Sequence, residues 1–264
     1  MIGTRIERPG AALECSLVPW DSATFGFPVA QVERFELDDG TEAGGLLDAF
    51  DAWCGEHDVR LVSARLEHRK LRESMALEAH GFRFIETVYM PRRETFERID
   101  TPRHALAVTD AAPADLEALA AIGHDAFTTG RFLLDQRLPP ELSKRRYADW
   151  VRTSVETPGQ QILKAEADGE LVGFFIVERR PDRSVYWHLT AVAPAWQGRG
   201  IGLSLWQTML RRHEAEGTAF VETTISGHNL PAINLYARLG FSFAASQMTF
   251  HWLRVPPSAA DPAR

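Results

Sequence analysis

Leu189 to Gly202 reads LTAVAPAWQGRGIG, an apolar strand that runs into a turn with glycine at positions 198, 200 and 202. An amphipathic helix is predicted to follow over Leu203–Glu216, ending near Gly217. Glycines between a strand and a helix let the backbone approach a phosphate closely, and the helix dipole favours an anion there. Arg199 adds a local positive charge, so Gln197, Gly198, Arg199, Gly200, Ile201 and Gly202 read as a cradle for a pyrophosphate. The plainer alternative is a turn that merely tolerates glycine. No Lys-Ser/Thr pair follows, so the loop is not a nucleotide P-loop, and the glycine spacing does not fit G-x-G-x-x-G.

Working outward, helices are expected over Asp115–Phe127 and Leu142–Val155, and a hairpin pairs Gln161–Glu166 with Leu171–Glu178 around Asp168-Gly169. Val185–Val192 is a strand, Ala219–Ile225 another, Ala232–Leu239 a helix closed by Gly240, and Phe241–Trp252 a last extended run. This pattern is mixed α/β, with helices covering a central sheet. The first half echoes it. Sliding Val62–Arg92 by 159 positions lays it without a gap on Val221–His251, matching Val62 with Val221, Leu71 with Leu230, Gly81-Phe82 with Gly240-Phe241 and Phe84 with Phe243. In that alignment Lys70 faces Asn229, Leu77 faces Tyr236, and Asp38–Ala43 (DDGTEA) lacks the glycine loop. The expected organisation is a partial copy without a cofactor site over 1–92, a polar linker over 93–104, a complete domain over 105–255 and a disordered tail over 256–264. The copy would extend the sheet and build one wall of a substrate pocket.

The chain has 264 residues, a formal net charge of −7 and 45% hydrophobic residues, which suits an ordinary globular protein with no general attraction to nucleic acid or anionic membrane. Cys15 and Cys54 lack metal-ligand spacing and read as reduced thiols. With no signal-like start and no membrane-length apolar run, a cytoplasmic location is expected. Assembly is left open between a monomer and a homodimer.

Two stretches then converge on a family. LTAVAPAWQGRGIG resembles the V-x-P followed by Q-x-x-G-x-G/A signature of the GNAT acetyltransferases, and Asn229–Phe241 (NLPAINLYARLGF) is similar to their N-x-x-A-x-x-x-Y-x-x-x-G-F motif. Over the whole length, Trp20–Gly26 (WDSATFG), Arg131-Phe132 and Tyr147–Val151 (YADWV) resemble the bacterial dTDP-4-amino-4,6-dideoxygalactose (fucosamine) N-acetyltransferases, which also carry a partial acetyltransferase-like N-terminal domain. The resemblance implies the GNAT fold preceded by a degenerate copy, acetyl-CoA as co-substrate, no metal, and a small-molecule amine as acceptor. It implies that Val192 and residues 197–202 hold coenzyme A, that Asn229 contacts the pantetheine arm with Asn234 as a secondary contact, and that Tyr236 protonates the departing sulfur.

Acetyl transfer needs a neutral amine, a polarised thioester carbonyl and a protonated leaving thiolate. By period two, Tyr186, His188 and Thr190 share one face of their strand while Trp187, Leu189 and Ala191 share the other. His188 is a candidate base, Glu222 on the neighbouring strand is its rival, and ordered water is the third option. Arg131 and Phe132 suit a sugar nucleotide, and Trp20 and Phe25 would be the N-terminal contribution to the same pocket. Three acceptor readings stay open at this point. They are a nucleotide-linked amino sugar, a protein N-terminus, and an amino acid or antibiotic amine. A non-catalytic acyl-CoA-binding module is the alternative from another class, against which the Asn229/Tyr236 pair argues.

Overall fold

A computed structural model of the chain describes residues 2–94, 96 and 98–254; the expected tail at 256–264 lies outside the described residues. In chain order the N-terminal elements are β1 (Gly3–Arg8), β2 (Ala11–Leu17), α1 (Pro19–Phe25), β3 (Val29–Leu37), α2 (Gly44–Glu56), β4 (Leu61–Glu67), α3 (Leu71–Ala79) and β5 (Arg83–Tyr89). There follow β6 (Arg92–Arg93), β7 (Ala107–Asp110), α4 (Leu116–Ala126), α5 (Arg131–Leu134), α6 (Pro140–Ser154), β8 (Gln160–Ala167), β9 (Glu170–Arg179) and β10 (Ser184–Val192). The chain closes with α7 (Ile201–Ala215), β11 (Phe220–Thr223), β12 (Ile225–Ser226), α8 (Leu230–Arg238) and β13 (Ser246–Leu253).

Two compact units result, Met1–Thr87 with Ser246–Arg264, and Val88–Ala245. This division differs from a boundary at Arg92. The chain passes between units inside β5, where nothing in the composition changes, and again at Ala245. The run at 241–252 is therefore not one strand of the second half. Only its later part is regular, and β13 pairs antiparallel with β4 along Gln247↔Glu67 to Leu253↔Leu61. Alternating apolar residues specify a half-buried strand but not which sheet receives it; Phe250 enters the first unit's core beside Phe35, Phe50 and Leu77. The expected linker is also structured. Arg93 pairs with Val221 at the edge of the second sheet, and Phe96 and Ile99 pack on the second unit's core, two apolar residues that the surrounding charges obscure.

In the second unit the strand order is β6-β11-β10-β9-β8-β7, with β10 and β11 as its parallel pair. The β8–β9 hairpin turns through Asp168 (φ 51°) and Gly169 (φ 82°), the two left-handed residues that a tight hairpin demands. One face packs α7 and α8 around Trp187, Trp206, Met209 and Tyr236; the other packs α4 and α6 around Leu119, Val151, Phe174 and Leu189. The sequence repeat has structural counterparts. α3 and α8 occupy matching positions, Leu71–Ala79 and Leu230–Arg238, at the same shift of 159.

Candidate active site

The strands β10 and β11 pair only from Ser184↔Phe220 to Trp187↔Thr223, after which they part. β10 stays bonded to β9 on its other side as far as Val192↔Gly173, and the Ala193 amide donates to Val172 O at 2.8 Å. The alternation of an antiparallel ladder then aims the N–H and C=O groups of Thr190 and Val192 into the gap between the parted strands. Val192 O accepts from the Gln197 side chain at 3.0 Å. The fork needs Gly173 behind it, since a Cβ there would stand 2.4 Å from Ala191 O and 3.0 Å from Leu205 Cδ2.

One expectation about this strand is corrected. The β9–β10 register shifts between Trp187 and Leu189, leaving His188 as a bulge. The extra residue breaks the period of two, so Val185 and Trp187 face α7 and α8 while Leu189 and Ala191 face α4 and α6. Thr190 accordingly leaves the face of Tyr186 and His188 and joins that of Tyr236. Neither glycine nor proline marks the bulge in the sequence.

Tyr236 lies beneath the fork. It is 2% exposed, with Trp187, Trp206 and Phe241 rings at 6.2, 6.1 and 4.8 Å. Its hydroxyl interacts with Trp206 and with Thr190 and Thr223, one threonine from each parting strand. Thr223 Oγ1 in turn donates to Trp187 O at 2.7 Å. Burial pushes the phenol up to about 12, against the opposing pull of Trp206, Thr190 and Thr223, so it holds its proton through the neutral range. Asn229 caps α8, its side chain accepting from the Ala232 amide at 3.1 Å, and Asn234 is exposed on that helix.

Gly198 (φ 75°) and Gly200 (φ 80°) take left-handed conformations that other residues adopt only with strain, and Gly200 caps α7. Arg199 lies over the Trp196 ring at 5.5 Å. Ile201 is buried in the core, which anchors the helix start, while Gly202 faces Val192. One neighbour escaped the sequence reading. The His104 backbone amide donates to Ser204 Oγ at 3.2 Å, and its Nε2 is a buried atom without a partner, 3.8 Å from where a Cβ on Gly200 would stand. An anion seated at the helix start would offer that nitrogen an acceptor.

On the other face of the sheet, His188 Nε2 meets Glu178 Oε2 at 2.7 Å. Glu178 lies 3.7 Å from Arg180, which pairs with Glu222 and covers the Tyr186 ring at 4.7 Å. Tyr186 is edge-on to His188 at 4.7 Å and shares a hydrogen bond with Thr224 at 3.2 Å. From α6, Trp150 faces the imidazole at 6.5 Å. Burial holds the His188 pKa below its ordinary value, with Arg180 adding to the effect and Glu178 opposing it. His188 and Glu222 thus share one cluster, but Glu222 is engaged by Arg180, whereas His188 keeps Nδ1 without a hydrogen bond among the described residues. Arg131 and Arg146 both lie over the ring of a buried Phe132, at 4.6 and 4.9 Å, and Arg146 also covers Trp150 at 5.3 Å. Trp20 and Phe25 belong to the first unit, where Trp20 is 55% exposed and Phe25 is buried beside Phe27.

The first unit shows what a closed fork looks like. Its parallel pair β3–β4 ends at Val32↔Ala64, and Glu33 forms a bulge one residue on, as His188 does. Phe35 and Leu37 then correspond to Thr190 and Val192. Their backbone groups are taken, Phe35 O by Lys70 Nζ at 2.9 Å and the Leu37 amide by Glu73 Oε1 at 3.3 Å.

The sequence profile of the Acetyltransferase (GNAT) family matches residues 125–241. The L-2,4-diaminobutyric acid acetyltransferase of Nocardia farcinica is 34% identical over 158 residues, covering 58% of this chain and 78% of that protein. The chain belongs to the GNAT acetyltransferase family. It is an N-acetyltransferase, and acetyl-CoA is the co-substrate of its family. The spore coat polysaccharide biosynthesis protein SpsD of Bacillus subtilis is 27% identical over 139 residues, 53% of this chain, and the chain spans 48% of that relative. A tandem GNAT protein from the clavulanic acid biosynthesis pathway superposes with a TM-score of 0.62 at 18% identity, covering 96% of this chain and 84% of that one, a likeness of fold. No helix among the described residues is long and apolar enough to cross a membrane.

Proposed function

We propose that this GNAT protein moves acetyl from acetyl-CoA directly to a primary amine of a small molecule, one site per chain. The observation that carries this reading is the open fork between β10 and β11 with the Tyr236 hydroxyl at its apex. The pantetheine amides of the co-substrate are matched by the Thr190 backbone and the Val192 N–H, and its pyrophosphate by the N–H groups at Gly198–Gly202 with Arg199 and His104 alongside. The amine lone pair attacks the thioester carbonyl, the new N–C bond forms and the C–S bond breaks. The amine proton goes to His188, the sulfur takes one from Tyr236, and water resets both groups. Free thiols titrate at about 8.5, below a tyrosine at about 12. Burial of the sulfur beside Tyr236 would raise the thiolate's basicity as well and narrow that gap.

For the acceptor, a nucleotide-linked amino sugar is the first reading, supported by the polysaccharide role in the name of the 27% identical relative and by the arginines around Phe132. An amino-acid amine is the second, supported by the 34% identical diaminobutyric acid acetyltransferase. Thiol release from acetyl-CoA, measured with amino-sugar nucleotides, diamino acids, aminoglycosides and short peptides, tests both. Turnover strongest with an amino-sugar nucleotide supports the first reading, turnover confined to diamino acids the second. Release with peptides alone would overturn a small-molecule acceptor.

A further inference from the structure

A base in this cluster has to be aimed as well as present. His188 is the bulge residue of β10, and its side-chain direction is therefore not fixed by the strand's own ladder. What fixes it is β9. Glu178 Oε2 stands 2.7 Å from Nε2, short enough for a charge-assisted hydrogen bond. The carboxylate is itself held, with Arg180 3.7 Å away and Arg180 tied onward to Glu222 on β11. Trp150 from α6, itself covered by Arg146, and Tyr186 from the same strand also border the imidazole. Among these groups Glu178 is the one within hydrogen-bond distance of the ring.

We propose that Glu178 is the positioning residue of the acetyl transfer, holding His188 in the tautomer with its proton on Nε2 so that Nδ1 is the atom that takes the proton of the attacking amine. This rests on the reading of His188 as the base. An ionised carboxylate accepts only, so Nε2 must be the donor and the lone pair must lie on Nδ1. When Nδ1 accepts the amine proton, the resulting imidazolium gains a full ion pair with Glu178, and the cost of charging a half-buried ring falls. No covalent bond to the protein forms. The proton passes from the amine nitrogen to Nδ1, and Nε2 keeps its own.

The direct test is long-range 1H–15N spectroscopy of the imidazole nitrogens in the full chain, wild type against Glu178→Gln and Glu178→Asp. The expected wild-type pattern is a single Nε2-protonated tautomer. In Glu178→Gln the tautomers mix and the His188 midpoint drops by about one pH unit, because a neutral amide no longer stabilises the imidazolium. Glu178→Asp keeps the charge and stays closer to wild type. A wild-type ring protonated on Nδ1, or an unchanged midpoint in Glu178→Gln, would overturn the proposal. The base reading fails separately, if His188→Ala retains wild-type turnover with the best acceptor of the thiol-release panel.

Discussion

Lys70 Nζ donates to Phe35 O at 2.9 Å, closing in the first unit the backbone gap that stays open beside Thr190 in the second. Two forks of the same design, each with a bulge one residue past its last parallel pair, differ in what lies between the strands. In one, a lysine and a glutamate satisfy the peptide groups; in the other, Gln197 takes Val192 O and, among the described residues, no lysine reaches Thr190.

Lys70→Met should therefore destabilise the first unit by about 1–2 kcal/mol, the cost of a buried carbonyl left without its donor. Acetyl-CoA affinity should stay within twofold of wild type. Urea unfolding and calorimetric titration read the two effects, and a tenfold loss of affinity would place cofactor binding in the wrong unit.

Gly173→Ala should damage the fork from behind. The added methyl meets Ala191 O at 2.4 Å and Leu205 Cδ2 at 3.0 Å, forcing β10 away from β9. A loss of about 1–3 kcal/mol is expected from overpacking of this kind, together with weaker acetyl-CoA binding. Thermal melting with and without acetyl-CoA checks both.

Tyr236→Phe should lower kcat by about 100-fold, the lower end of what a positioned general acid contributes, and leave acetyl-CoA affinity nearly unchanged. Because burial holds the phenol at about 12, its ionisation should not limit the wild-type rate between pH 7 and 10. Equal turnover by the variant would remove Tyr236 from the chemistry.

A buried histidine sets the acid limit of stability. His213 accepts from Trp187 Nε1 at 3.1 Å through Nε2 and meets Glu216 at 3.2 Å through Nδ1. Burial pushes it down to about 4 despite Glu216, so the fold binds it neutral. Its contribution is complete above the unfolded value of 6.5 and is lost as pH falls from there toward 4, by about 3 kcal/mol at most. Burial also raises the Glu216 carboxyl, but Arg212, Arg179 and His213 outweigh it and hold the group at about 2, so its loss begins lower, below 4.5. Denaturation midpoints at pH 7.5 and 5 should differ in the wild type and converge in His213→Gln.

Much of this was legible in the sequence because it is local. The glycine loop and the Asp168-Gly169 hairpin depend on neighbours within a turn or two, and the repeat shows when the sequence is slid along itself. What was not legible depends on pairing across distance. The bulge at His188 has no marker residue. Glu178 meets His188 only through the β9–β10 register, and Thr190 meets Tyr236 only because the bulge turns the strand over. The destination of β13 was hidden for the same reason. A strand's pattern tells how it is buried, not beside which partner.

The central claim is that the open fork of the second unit holds acetyl-CoA. Amide hydrogen exchange of the full chain, with and without saturating acetyl-CoA, tests it most directly. The account predicts slower exchange, by about tenfold or more, at Thr190, Val192 and residues 198–202, with Phe35 and Leu37 unchanged. Protection at residues 35–45 instead, or none across 190–202 while acetyl-CoA is bound, would contradict it.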